Sequence, residues 1–97
     1  MIIKGGRVYS ESIFSLQNIE TENGKIKKGG GGEVLNAEGL FVLPGLIDIH
    51  THGCMGCDTM DATENAMLTM KKHMKNNGVT AFLPTTVTVP AQNIKRI

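Results

Sequence analysis

The apolar residues of this chain follow two different patterns. Early on they come as short runs broken by turn formers: Ile2-Ile3 and Val8-Tyr9 flank Gly5-Gly6, and Ile13-Phe14 leads into the alternation Leu16, Asn18, Glu20. Period-two alternation gives a strand one face toward a core and one toward water. Asn23-Gly24, between Ile19 and Ile26, is the strongest local hairpin signal, because both residues tolerate the positive φ of a type I′ turn. Gly29 to Gly32 has the glycines of a phosphate-cradling loop, yet no Lys-Ser/Thr follows and no helix opens after it. A flexible hairpin connection is expected there. Val34-Leu35-Asn36-Ala37-Glu38-Gly39 then supplies another short strand and a turn. Residues 1–43 thus read as a β-meander with a weak core of its own.

From Leu40 the pattern becomes nearly continuous: Leu40-Phe41-Val42-Leu43, Pro44-Gly45, then Leu46-Ile47-Asp48-Ile49. Such a run predicts a strand buried on both faces, as in a parallel sheet, with Pro44-Gly45 marking where it begins. Asp48 interrupts the run, and an acid there needs a hydrogen-bonding partner. Asp61 and Glu64 have the spacing of a helix-opening capping box. Met67, Met70 and Met74 follow at helical spacing and predict a core stripe, while Lys71, Lys72 and Lys75 complement the helix dipole. Asn76-Asn77-Gly78 predicts the stop, with Gly78 left-handed. Val79 to Leu83 reads as a second buried strand, and Pro90 stands where a second helix would begin, capped by Thr88 or Val89. Residues 44–97 therefore read strand, helix, strand, start of helix, which is one βαβ unit and the opening of another. One βαβ unit leaves sheet edges and apolar surface exposed, so the sequence reads as the N-terminal fragment of something larger.

Composition narrows the classes. With 97 residues, 40% hydrophobic and 20% charged, the chain is ordinary for a soluble globular protein of at most one small domain. A net charge of +1 gives no electrostatic case for nucleic acid or an anionic membrane. No apolar stretch reaches the roughly 20 residues of a membrane helix, and Met-Ile-Ile-Lys lacks the features of a secretion signal. Two cysteines without an export signal suggest free thiols in a reducing cytosol, hence a cytoplasmic protein.

The chemistry gathers in one stretch, Gly45 to Thr63, "GLIDIHTHGCMGCDTMDAT". His50 and His52, at i and i+2 at the carboxyl end of the expected strand, lie on one face and can turn toward one metal ion. In parallel α/β folds ligands bind beyond the carboxyl ends of strands, where this pair falls. A bland reading competes: two partly exposed imidazoles that cap the strand. Cys54 and Cys57 form a Cys-x-x-Cys that is poorly placed for thioredoxin-like chemistry, since the expected helix starts several residues later. Free thiols in a tight glycine-rich turn are expected instead. Asp58 suits either a substrate hydroxyl or an Asx-turn.

The stretch "LPGLIDIHTHG" resembles the first barrel strand of the amidohydrolase superfamily of metal-dependent hydrolases. The preceding "GEVLNAEGLFVLPG" looks like part of the small β-sandwich that those enzymes carry beside a TIM barrel. "HGCMGCDTMDAT" and "GVTAFLPTTVT" are more selective and resemble the subfamily of N-acetylglucosamine-6-phosphate deacetylases. The resemblance covers nearly all the chain and is weakest before residue 33. It implies an α/β architecture, with sandwich strands in 1–43 and the first strands and helix of an incomplete (β/α)8 barrel in 44–97. It implies an enzyme that takes a small-molecule amino-sugar phosphate, removes its N-acetyl group, and forms a homo-oligomer, a dimer, at full length. By resemblance His50 and His52 match a metal-binding pair for a divalent ion, zinc first, with iron or manganese as other choices. Asp48 matches a supporting strand acid, and Gly53 and Asp58 are substrate-loop candidates. The remaining ligands, the catalytic aspartate and most substrate contacts would lie on later strands, so the fragment alone is expected to be inactive and not stably folded as a monomer.

Two alternatives of function remain at this point. One is another amidohydrolase, dihydroorotase-like or dipeptidase-like, sharing the strand motif but not the loop. The other is a small zinc or thiol module built on His50, His52, Cys54 and Cys57.

Overall fold

A computed structural model describes residues 1–94. It divides the chain into two units, Met1–Pro44 and Gly45–Ile97.

The first unit is built around β1, Ile2–Ser10. β2 (Ile13–Glu22) folds back antiparallel on β1, and β3 (Lys25–Ile26) on β2, giving the expected meander. Asn23 and Gly24 take positive φ of 52° and 74°, as the hairpin signal requires. The β1–β2 turn, Glu11-Ser12, also has two left-handed residues, at φ 50° and 67°, with nothing in their identity to announce it. β4 (Val34–Asn36) and β5 (Phe41–Val42) then pair with successive stretches of β1, both parallel to it. β1 is therefore one strand rather than two flanking Gly5-Gly6. Its register shifts between Ile3 and Gly6, where the Asn18 side-chain oxygen accepts from the Gly5 amide at 3.0 Å. The glycine tract does cradle an anion, but one from its own chain: the Glu20 carboxylate accepts from the Gly29 and Gly30 amides. Only Val8 and Ala37 among the apolar residues of this unit are buried, so its core is as weak as the composition of those strands suggests.

The second unit runs β6 (Leu46–Thr51), β7 (Gly53–Cys54), β8 (Cys57–Asp58), a 3-10 turn (Thr59–Asp61), α1 (Glu64–Asn76), β9 (Val79–Pro84) and α2 (Ala91–Ile94). β6 and β9 pair in parallel with α1 between them, which is the expected βαβ unit. The chain is thus mixed α/β. Gly78 ends α1 with φ 77°, as expected, and α2 opens just after Pro90. The expected ending in mid-helix lies outside the described residues.

Three expectations need correction. The capping box is not Asp61–Glu64. Asp58 and Asp61 form it around the 3-10 turn, where the Asp58 side chain accepts from the Met60 amide and the Asp61 side chain from the Asp58 amide, each at 2.7 Å. Thr63 caps α1 instead, accepting from the Ala66 amide at 3.2 Å. A one-turn helix intervenes because Asp58 and Asp61 already cap each other around Thr59–Asp61. The buried stripe of α1 is Ala66, Met70 and Met74, spaced by one turn, whereas Met67 is 36% exposed. Lastly, neither strand is buried on both faces: Leu46, Ile47 and Ile49 of β6 are 59%, 67% and 74% exposed, and β9 has no buried residue, with Leu83 59% exposed. A two-stranded sheet with one long helix cannot cover a strand that is apolar all round.

Candidate metal centre

β6 and β9 end together. Thr51 pairs with Pro84, and the next amide, Thr85 N–H, donates to the Thr51 carbonyl at 2.7 Å. His50 and His52 sit at this carboxyl end. Their Nε2 atoms stand 3.2 Å apart and their rings are nearly perpendicular, at 87°. The i, i+2 spacing does bring both imidazoles together, as the strand period requires. His52 Nδ1 lies 2.9 Å from the Thr85 carbonyl oxygen. A carbonyl only accepts, so Nδ1 carries the proton and Nε2 presents its lone pair toward His50. This ring–carbonyl bond fixes both tautomer and ring orientation, as partners behind metal-bound histidines do.

The pair fits a divalent metal on its own geometry. Two nitrogens bonded at about 2.0–2.1 Å to a tetrahedral ion stand about 3.3 Å from each other. The 3.2 Å found between the ε-nitrogens matches that separation. Both rings are exposed, so an ion reaches them without rearrangement of the strand. Among the described residues no group of three His, Cys, Asp or Glu side chains converges on one point. The four-ligand module of His50, His52, Cys54 and Cys57 is therefore not assembled, and the imidazole pair stands without the thiols.

The other candidates find their places around the pair. The Asp48 carboxylate accepts from the His50 backbone amide at 3.0 Å, which satisfies the acid inside the apolar run and shapes the strand end just before the histidines. Gly53 lies where only glycine fits: an added Cβ would meet the Cys57 carbonyl oxygen at 2.2 Å and the Asp58 Cα at 2.8 Å. Asp58 is engaged as the cap of the 3-10 turn, through the Asx geometry that was one of its two readings. Cys54 and Cys57 are free and half-buried, opposite each other across a hairpin whose turn is Met55-Gly56. Sequence reasoning had a turn here but not the β7–β8 pairing. It also missed Thr85, which acts through a backbone carbonyl that any residue would supply. Thr59 was missed too: its amide donates to the His52 carbonyl at 2.7 Å and closes the neck of the hairpin beside the histidine pair.

Comparison with known proteins bears on this arrangement. Residues 41–97 match the model of the amidohydrolase family. An N-acetylglucosamine-6-phosphate deacetylase from Vibrio furnissii is 52% identical over 54 residues, covering 56% of this chain and 14% of that protein. One from Bacillus subtilis is 46% identical over 55 residues, covering 57% of this chain and again 14% of the relative. A dihydroorotase from Geobacter sulfurreducens is 46% identical over 61 residues, covering 54% of this chain and 14% of the relative. The chain thus spans about one seventh of the length of each of these proteins.

Proposed function

The chain belongs to the amidohydrolase family, and from that premise we propose that it supplies the first metal-binding strand of an N-acetylglucosamine-6-phosphate deacetylase. The observation that carries the reading is the pair of ε-nitrogens, 3.2 Å apart at the carboxyl end of a parallel strand, with His52 anchored on the Thr85 carbonyl. His50 and His52 would hold a divalent ion, zinc being best suited to the imidazole pair and iron or manganese also compatible. When bound, such an ion polarises the amide carbonyl and makes water acidic enough to attack it near neutral pH. Asp48 keeps the strand end in shape, and Thr85 keeps His52 in the ligating tautomer. The substrate in this reading is a small amino-sugar phosphate, cleaved to acetate and the free amine. The general base, the further metal ligands and the sugar contacts would come from strands beyond this chain.

The same premise gives a meaning to the apolar side chains exposed on β6, which are those that a complete (β/α)8 barrel would cover on both faces. Residues 1–43 would belong to the small β-sandwich beside that barrel, and the complete enzyme would act as a cytoplasmic dimer. Among the described residues no helix is long and apolar enough to cross a membrane.

A second reading is favoured by the dihydroorotase relative, which matches the chain over a similar length. The loop "GCMGCDTMDAT" is the reason to prefer the deacetylase. The test is acetate release from N-acetylglucosamine 6-phosphate with added divalent metal, by the full-length enzyme carrying this sequence and by the 97-residue chain in parallel. Activity in the former, lost in a His50→Ala, His52→Ala variant and absent from the latter, supports the proposal. Hydrolysis of dihydroorotate in place of the amino sugar moves it to the second reading. Acetate release by the 97-residue chain alone would refute the dependence on later strands.

A further inference from the structure

Cys54 and Cys57 have no part in the site described above, yet the fold sets them facing each other. Met55 and Gly56 take φ of 55° and 73°, a two-residue turn of the I′ kind, and Cys54 pairs with Cys57 directly across it. The Thr59 amide bonded to the His52 carbonyl fixes the alternation along this ladder. Gly53–Asp58 is then the close, non-hydrogen-bonded pair, in keeping with the lack of room for a Cβ on Gly53. Cys54–Cys57 is the hydrogen-bonded pair, in which Cα atoms stand about 5.5 Å apart and Cβ atoms keep a similar distance. A disulfide needs Cβ atoms at about 3.8 Å. The pair is therefore splayed too widely for a relaxed S–S bond, while an ion between the sulfurs, with metal–sulfur bonds of about 2.3 Å as zinc makes, spans the gap.

The choice of ion follows from the donor count. A structural zinc needs four ligands, and among the described residues no third His, Cys, Asp or Glu joins the two thiols. Two thiolates alone suit a soft ion that accepts low coordination, and monovalent copper is the soft ion that sulfur ligands select. Both thiols are free and only half-buried, so such an ion reaches them. We propose that Cys54 and Cys57 form a two-thiol site for a soft thiophilic ion of the monovalent copper class, separate from the His50–His52 pair.

The test is an anaerobic titration of the full-length protein carrying this sequence, with ascorbate as reductant, against the coloured copper(I) complex of bathocuproine disulfonate. The chain is expected to withdraw one equivalent of copper. Cys54→Ser and Cys57→Ser should each weaken uptake about a hundredfold, because each removes one arm of a chelate. His50→Ala, His52→Ala should leave uptake unchanged. Bound copper should also shield both cysteines of the unsubstituted chain from N-ethylmaleimide, a readout that needs no variant to fold. Uptake that survives both serine substitutions, uptake lost with the histidines, or labelling indifferent to copper would each overturn the proposal. So would ready closure of an internal disulfide by glutathione disulfide, since the spacing would then be wrong.

Discussion

Gly53→Ala is the substitution that most directly probes how the hairpin supports the histidine strand. The new methyl would stand 2.2 Å from the Cys57 carbonyl oxygen and 2.8 Å from the Asp58 Cα, both backbone atoms that cannot swing aside. The neck of the β7–β8 hairpin must open by roughly 1 Å to reach ordinary contact, an overpacking strain of about 1–3 kcal/mol. That opening pulls on the Thr59 amide, whose bond to the His52 carbonyl is 2.7 Å long. Losing this bond adds about 1 kcal/mol. Together the change is about 2–4 kcal/mol, or roughly 30- to 1,000-fold in the local opening equilibrium. The assay is hydrogen exchange at the Thr59 amide, followed by NMR on the full-length protein carrying this sequence. Exchange at Thr59 should rise by that factor, while the amides where β1 and β2 pair keep their rates. Unchanged protection at Thr59 would refute the claim that hairpin closure and the His52 strand are mechanically joined. A rise shared by every amide would mean that the substitution acts on global stability instead.

Met70 is fully buried, and Met70→Ala removes most of a side chain from a core whose buried apolar residues, among those described in the second unit, are Ala66, Met70 and Met74. The expected cost is about 2–5 kcal/mol, read as loss of α1 helicity at much lower urea, with β1–β2 amide exchange as the internal control. Thr63→Ala should cost about 1 kcal/mol and speed exchange at the Ala66 amide, whereas Asp61→Ala should loosen the 3-10 turn and leave Ala66 unaffected. The opposite result would restore Asp61 as the cap. Zinc binding by the 97-residue chain, followed by calorimetry, should vanish in the His50→Ala, His52→Ala variant and be indifferent to alkylation of Cys54 and Cys57; zinc lost on alkylation would revive the four-ligand module.

What could be read from sequence was what depends on local chemistry and period. Asn23-Gly24, the βαβ order, Gly78 and the convergence of His50 with His52 follow from turn preferences or from the side-chain period of a strand or helix. The cap of α1 was misplaced because Asp58, Asp61 and Thr63 are all good caps, and only their competition in three dimensions decides. Met67 was misassigned to the core for a similar reason: three methionines define a stripe only to within one position, and the helix settled on the row through Ala66. Burial of β6 was overestimated because an apolar run states what a strand tolerates, not what covers it. The β7–β8 hairpin showed only as a glycine-rich turn, and the roles of the Thr59 amide and Thr85 carbonyl left no trace, because backbone groups carry no sequence signature.

Two pairs of donors lie within eight positions, His50 with His52 and Cys54 with Cys57, and on composition alone they make a complete four-ligand zinc site. The backbone keeps them apart. The histidines share a face because they are two apart where β6 ends, whereas the cysteines meet across a separate two-residue turn. Between the pairs, Gly53 packs against Asp58 too closely for any side chain, and the Thr59 amide holds the His52 carbonyl. Folding the thiols back onto the imidazoles would break that neck. A separate contact orients His52: its Nδ1 is held on the Thr85 carbonyl just past β9, which turns Nε2 toward His50. Separation leaves two donor pairs of different character, two imidazole nitrogens at the end of β6 and two soft thiols across the β7–β8 turn.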